Sequence, residues 1–415
     1  MTALRSYVIV TAAYWAFTLT DGALRMLVLL HFHALGYSPI QLASLFLLYE
    51  LFGVVTNLLG GYAAARFGMK LTLTGGLALQ VLALVLLALL RPEWPAALSV
   101  PWVMGAQSLS GIAKDLTKMS AKGSLKVLVP DDGGALFRWV ALLTGSKNAL
   151  KGVGFFLGGL LLALAGFRGA LLGMAAAVAT VAVSAQLSLP AELGRSKAKP
   201  KFKGLLSKSR EVNVLSAARF CLFGARDVWF VVGVPVYLSE QLGWSFTGVG
   251  SFLALWVIGY GAVQALAPSF IRRWTKGQAP QGRSAQVLAF LLAVATAVIA
   301  LGFPAGLPPE ALMVGGLAAF GVLFAVNSSV HSYLILAYSE GDALATNVGF
   351  YYMANAGGRL AGTLLSGLLF QEAGVAGCLW GSAALATAAG LLSLVLPRRT
   401  GPLALPETAP DGGTD

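Results

Sequence analysis

Basic side chains recur inside stretches that are otherwise apolar, and they set the chemistry open to this chain. In Gly105–Lys126 (GAQSLSGIAKDLTKMSAKGSLK), Lys114, Lys118, Lys122 and Lys126 are spaced by four, which on a helix makes one slowly winding stripe. If that helix ends at Val129-Pro130, Lys126 sits at a water interface and Lys114 about 18 Å deeper, at 1.5 Å per residue. Arg25, Lys147, Lys151, Arg219, Arg226 and Arg359 lie in further apolar segments. The acids at comparable depth are Asp21, Asp115 and Asp227, together with Glu50, whose direction the sequence leaves open. A base in the middle of a bilayer costs several kcal/mol, roughly 3 or more, unless it meets a wet cavity or a counter-charge. Pairing with neighbouring acids accounts for some of the bases, Arg226 with Asp227 for instance, but three or four acids cannot neutralise the eight that lie well inside the segments, those six bases with Lys114 and Lys118. The excess predicts a cavity that selects a multivalent anion of phosphate-like chemistry. Arginine offers such a group a bidentate fork and lysine a point charge.

Arg25, Lys114, Lys118, Arg219 and Arg226 are the first candidates for substrate contact if the first, fourth, seventh and tenth apolar segments line that cavity. Lys147, Lys151 and Arg359 form a second group. Asn327 and His331, beside Ser328, Ser329 and Tyr333, either orient substrate oxygens or pack between helices, and the same alternatives hold for Asn148, Asn347 and Asn355. Asp21, Asp115 and Asp227 are candidate proton carriers, or else fixed partners of adjacent bases. His31 and His33 are two residues apart, so they do not share a helical face and suit the interface better than a metal. The two cysteines, Cys221 and Cys378, are embedded in apolar runs, which argues against a disulfide framework and against a thiolate site for a soft metal. No phosphate-binding loop, nucleophile elbow or metalloprotease motif is present, so neither an enzyme nor an ATP-driven pump is expected, and no cofactor.

The elements that must hold these groups follow from composition. Of 415 residues, 57% are apolar and only 11% charged, where soluble domains carry about a quarter. Apolar segments of spanning length occur at 7–30, 39–63, 71–91, 97–127, 135–165, 167–189, 212–238, 246–270, 284–303, 311–336, 342–370 and 373–396. The expectation is an all-α polytopic membrane protein with twelve transmembrane helices in two six-helix bundles, 1–189 and 212–396. A basic linker at 190–211 lies on the anionic membrane face, and a polar tail at 397–415 is expected to be disordered. The first apolar segment shows no cleavage site and is read as retained. Arg66, Lys70, the linker, Arg272, Arg273, Lys276, Arg283, Arg398 and Arg399 all follow even-numbered spans, which places both termini in the cytoplasm. The net charge of +12 is thus dispersed over loops and spans, and nucleic acid is not an expected partner; the lipid bilayer is.

The halves resemble each other. An acid and a base recur in spans 1 and 7 (Asp21 with Arg25, Arg226 with Asp227), and an amide, a base and glycines recur in spans 5 and 11. Six plus six spans with a basic linker resemble the major facilitator superfamily, with a site near the midplane between the repeats. Gly61–Lys70 is similar to the loop 2–3 motif of that superfamily through Arg66, Gly68 and Lys70, with Ala65 replacing its acid. More specifically, YWAFTLTDGALRMLVLLHFHALGYSP, LSGIAKDLTKMSAK, TGSKNALKGVGFFLGG, ARFCLFGARDVWFVVGVPVYL, FAVNSSVHSYL and VGFYYMANAGGRLAGT resemble the ArsJ family of organoarsenical efflux permeases, and these strings cover nearly the whole chain. The resemblance implies a bacterial inner-membrane exporter of 1-arseno-3-phosphoglycerate, conferring arsenate resistance; a monomer is the expected state. It also implies a functional partnership with a glyceraldehyde-3-phosphate dehydrogenase that makes the substrate. Proton antiport is the expected coupling. The rival readings are an organophosphate:phosphate exchanger, served by the same cations, and a non-transporting sensor on the same fold. On sequence alone, Lys114→Ala and Lys118→Ala should both abolish resistance without removing the protein from the membrane, while Lys126→Ala should be mild.

Overall fold

The structure is a computed structural model that describes residues 3–128, 135–190, 209–274, 280–339 and 344–397. The linker and the tail expected to be disordered lie largely outside these residues, as do the side chains of Lys122, Lys126 and Arg66. Among the described residues there is no strand; the chain is a succession of helices. These are α1 (Ala3–Ala34), α2 (Pro39–Ser44), α3 (Leu47–Phe67), α4 (Met69–Ala88), α5 (Ala96–Leu128), α6 (Ala135–Ser188) and α7 (Arg210–Phe230). They continue with α8 (Gly233–Glu240), α9 (Phe246–Trp274), α10 (Gly282–Gly302), α11 (Pro309–Ala311), a π-helical turn (Leu312–Gly316), α12 (Leu317–Ala337) and α13 (Leu344–Ser393). Helix is what a bilayer demands, because lipid offers no partner to a backbone N–H or C=O.

Eight of the helical stretches are long and apolar enough to cross a membrane without further argument, and two of these, within α6 and α13, are 43 and 47 residues long, enough for two crossings each. Both double-length helices are broken where a glycine takes a positive φ: Gly166 at 65° in α6 and Gly374 at 61° in α13. An L side chain rarely adopts that conformation, so glycine turns each helix back through the membrane. With the charged α1 and α5, the described residues supply twelve crossings, as the hydropathy pattern requires.

Two crossings are interrupted. The second is split between α2 and α3, and the seventh between α7 and α8. At the latter break, Pro235 lacks the N–H that would continue the helix, and the freed N–H groups of Val232 and Gly233 both donate to Ser366 Oγ at 3.1 Å. A start signal is legible at α2, where Ser38 and Gln41 form a reciprocal capping box ahead of Pro39.

The pairing of helices repeats. In the first half α1 packs on α6, α3 and α4 on α5, and α4 on α6. In the second half α7 packs on α13, α9 and α10 on α12, and α10 on α13. Between the halves, α6 meets α9, and α13 meets α2 and α3. Small residues permit the closest approaches. A Cβ on Gly22 would lie 2.7 Å from the Lys151 carbonyl oxygen, and one on Gly362 would lie 2.8 Å from that of Gly224. These contacts place α1 against α6 and α7 against α13 at the depth of the charged residues. The outer surface is apolar: Leu164, Leu187 and Leu255 are 76%, 81% and 70% exposed, tolerable where the solvent is lipid.

Candidate functional site

Glu50 organises the centre of the molecule. It sits on α3, in an apolar run, with its side chain 1% exposed. Its Oε1 accepts from Arg25 Nη1 of α1 at 3.1 Å and from Arg359 Nη2 of α13 at 2.5 Å. Arg359 turns its Nε to Asp227 Oδ2 of α7 at 3.2 Å, and Asp227 Oδ1 accepts from its neighbour Arg226, Nε donating at 2.6 Å. One continuous chain, Arg25–Glu50–Arg359–Asp227–Arg226, therefore runs from the first half of the protein into the second. Glu50, Arg359 and Asp227 each have two partners in this chain, whereas Arg25 and Arg226, at its ends, have one acid each, and a buried base that loses its one acid is left uncompensated.

Two lysines flank it without joining an ion pair among the described residues. Lys114 Nζ lies 4.1 Å from the Tyr49 ring centroid and Lys151 Nζ lies 5.5 Å from that of Phe155. Glu50 interacts electrostatically with both, and Lys151 also feels Arg359, Arg25 and Arg226. Aromatic rings surround the guanidiniums as well: Phe46 and Tyr49 lie by Arg25, and Phe223, Phe230 and Phe324 by Arg226. Such faces stabilise a cation while leaving its donors available. Counting Asp21, which accepts from Tyr49 Oη at 2.6 Å, five bases here face three acids.

Lys118 belongs to an adjoining arrangement, whose acid, Asp115, also interacts electrostatically with Lys114. Its Nζ donates to Asp115 Oδ1 and Asn57 Oδ1, both at 2.6 Å. Asp115 Oδ2 accepts from Thr56 at 3.0 Å and from Asn57 at 3.3 Å. Its acceptors are filled and its charge is matched.

A third group forms within the second half. Arg219, 4% exposed, donates from Nε to Asn355 Oδ1 at 2.9 Å and from Nη1 to the carbonyl and hydroxyl oxygens of Ser328 at 3.1 Å. All three acceptors are neutral, and the Phe223 ring lies 4.1 Å from the guanidinium carbon. Asn327 and His331 are fully buried, and among the described residues neither the amide of Asn327 nor the ring nitrogens of His331 have a partner. Asn148 reaches Gln264 of α9 at 3.2 Å, tying the halves together. Lys147, half-buried, sits one turn before Lys151.

Against the sequence expectations, spans 1, 4 and 7 do contribute, but spans 2, 5 and 11 contribute equally. Arg359, placed in a second group by sequence, is central; Lys118, placed in the first, is internally neutralised. Asp227 and Arg226 do pair, whereas the matching pair expected in span 1 does not form: Arg25 turns to Glu50, and Asp21 to Tyr49. Glu50 itself is the residue that sequence reasoning left undirected. The signal was available, because an acid in an apolar run beside so many unmatched bases has few tolerable fates. His31 stacks on Phe167, with centroids 3.9 Å apart, and His33 lies 3.7 Å from Glu240, at the end of the bundle away from the termini. No cluster of three or more potential metal ligands occurs among the described residues.

Comparisons with known proteins agree with this architecture. Residues 8–277 match the family profile described as Major Facilitator Superfamily. A crystal structure of a POT family transporter in complex with a thioalcohol-conjugated peptide superposes with a TM-score of 0.74 at 14% identity, covering 94% of this chain and 96% of that one. A mutant form of the nucleoside transporter NupG superposes with a TM-score of 0.71 at 15% identity, covering 94% and 98%. No curated protein sequence matches the chain. At such identities the structural likeness speaks for the fold, and the family profile, spanning well over half the chain, for descent. The chain belongs to the major facilitator superfamily and is a multi-pass membrane protein of that transporter type.

Proposed function

We propose that the chain is an efflux permease for 1-arseno-3-phosphoglycerate, working by alternating access in a bacterial inner membrane with both termini in the cytoplasm. The observation that carries the anionic substrate is the imbalance at the centre: Arg25, Lys114, Lys151, Arg226 and Arg359 against Glu50, Asp21 and Asp227. Two oxyanionic ends on one small molecule would offset the surplus, and an arginine fork with flanking ammonium groups suits tetrahedral oxyanions. The arsenic chemistry comes from the ArsJ resemblance of the sequence, which also supplies the partnership with a glyceraldehyde-3-phosphate dehydrogenase. Arg219, with His331 near it, lies two turns before Arg226 on α7 and would meet substrate on its way through.

Proton antiport needs a carboxylate that can lose its charge without breaking an ion pair. Asp115 is engaged by Lys118, and Asp227 by Arg226 and Arg359. Asp21 is held by the neutral Tyr49 hydroxyl, so its protonation leaves every arginine paired as before. Asp21 is therefore the carrier we favour.

The test uses an arsenate-sensitive bacterium lacking its own arsenic exporters. The chain is expressed with and without an added glyceraldehyde-3-phosphate dehydrogenase, and growth and cell arsenic are followed in arsenate. Protection that increases with the dehydrogenase supports the proposal. Absence of protection with the protein shown in the membrane refutes it. Vigorous phosphate self-exchange in membrane vesicles would then point to the organophosphate exchanger. An Asp21→Asn protein should still bind substrate but no longer respond to a pH gradient.

A further inference from the structure

The Glu50 carboxylate is buried, yet only half of it is used. Oε1 receives both arginines, while Oε2 has no hydrogen-bond partner among the described residues, and neither has Nη2 of Arg25. A pair built only for stability would engage both oxygens with a bidentate fork, the geometry that makes arginine–carboxylate contacts strong. Here one oxygen is shared between guanidiniums from opposite halves, and a donor beside it is left over. An oxyanion with three available oxygens would satisfy Arg25 and Arg359 together, including the donor that Glu50 leaves idle.

The position matters as much as the stoichiometry. Arg25 and Glu50 are on α1 and α3 of the first half, and Arg359 is on α13 of the second. Among the described residues, Glu50–Arg359 is the one ion pair joining the halves at this depth; His33–Glu240 joins them at the far end and is loosely made at 3.7 Å. Arg359 keeps Asp227 when Glu50 leaves, whereas Arg25 keeps no acid. Losing Glu50 from the cluster thus exposes a binding-competent arginine and removes the ion pair that joins the halves at this depth in one step.

We infer that Glu50 is a built-in counter-anion: in the unloaded protein it occupies the place between Arg25 and Arg359 that an anionic substrate takes, and its displacement couples binding to separation of α3 from α13. The substrate and Glu50 then exclude each other, so Arg25 is never left bare when the protein returns empty. This inference rests on the anionic character of the proposed substrate and not on its arsenic.

The test is equilibrium binding to the full-length purified protein, with 3-phosphoglycerate and inorganic phosphate as probes, read by calorimetry and by thermal melting. Glu50→Gln keeps the shape of the side chain and removes its charge. The variant should bind 3-phosphoglycerate at least tenfold more tightly than the unaltered protein. It should also melt at a lower temperature without the probe and gain more on adding it, because the probe then supplies the missing anion. Equal or weaker binding by the variant overturns the inference, as does failure of both proteins to bind either probe. If the glutamine variant does not reach the membrane, Glu50→Asp retracts the charge by one methylene; it should tighten binding in the same direction, and an unchanged affinity overturns the inference. Tighter binding without arsenate protection in cells would keep the counter-anion and discard the arsenic exporter. Protection without tighter binding would do the reverse.

Discussion

Lys114 and Lys118 lie one turn apart on α5 and look equivalent in sequence, but the structure assigns them opposite liabilities. Lys118 neutralises Asp115, whose side chain is 0% exposed, through a 2.6 Å contact. Lys118→Ala would leave that carboxylate buried with only Thr56 and Asn57 as donors. Removing one partner of a buried pair costs about 3–5 kcal/mol; the surviving hydrogen bonds set this site near the low end, about 3 kcal/mol. Lys114 makes no ion pair among the described residues, and its ammonium rests over Tyr49 at 4.1 Å. Lys114→Ala forfeits a cation–π contact of about 1–2 kcal/mol but also relieves the cost of burying an unpaired cation, so the net change in stability is within about 1 kcal/mol. Its effect falls on the anion instead: a lost charge-assisted hydrogen bond is worth about 1.5–3 kcal/mol, or about 10- to 150-fold in affinity. Thermal melts of the solubilised proteins and 3-phosphoglycerate binding, run on the same preparations, separate the two. Lys118→Ala should melt well below the unaltered protein, and Lys114→Ala should melt with it while binding poorly. A Lys118→Ala protein as stable as the parent, or a Lys114→Ala protein less stable than Lys118→Ala, would refute the reasoning. The shared outcome expected from sequence, loss of resistance with the protein still in the membrane, now applies to Lys114 alone; the Lys126 side chain lies outside the described residues.

Two further outcomes are expected. Gly362→Val should sharply lower transport and the yield of folded protein, because even its Cβ would lie 2.9 Å from Asp227 Cβ, forcing α13 off α7 and carrying Arg359 with it. Gly105→Ala, with nothing within 4 Å of the added carbon, is the silent control in the same expression assay. His33→Ala removes a 3.7 Å contact to Glu240, whose side chain is 48% exposed, and such a pair is worth about 0–1 kcal/mol after solvent screening. Melting and resistance should match the parent, and a pronounced loss of either would show that the far end of the bundle is sealed by this contact.

The sequence by itself determined the class of the molecule, the positions of its crossings and the surplus of buried bases. Those properties follow from run length and composition, because a bilayer of fixed thickness sorts segments by how many apolar residues they contain. The recurrence of glycines and charges in spans 1, 5, 7 and 11 also made the repeat of the two halves legible, which the structure realises as the pairing of α1 with α6 and of α7 with α13. What only the tertiary structure decided is which acid meets which base. Arg25 passes over Asp21, one turn away, for Glu50 on another helix, and Glu50 and Asp227 both reach Arg359 far along the chain. A soluble helix shows its inner face through hydrophobic periodicity, but a span that is apolar all round has no such face to read. The direction of Glu50 around α3 is set by where α1 and α13 pack, and that contact exists only once the two halves have come together.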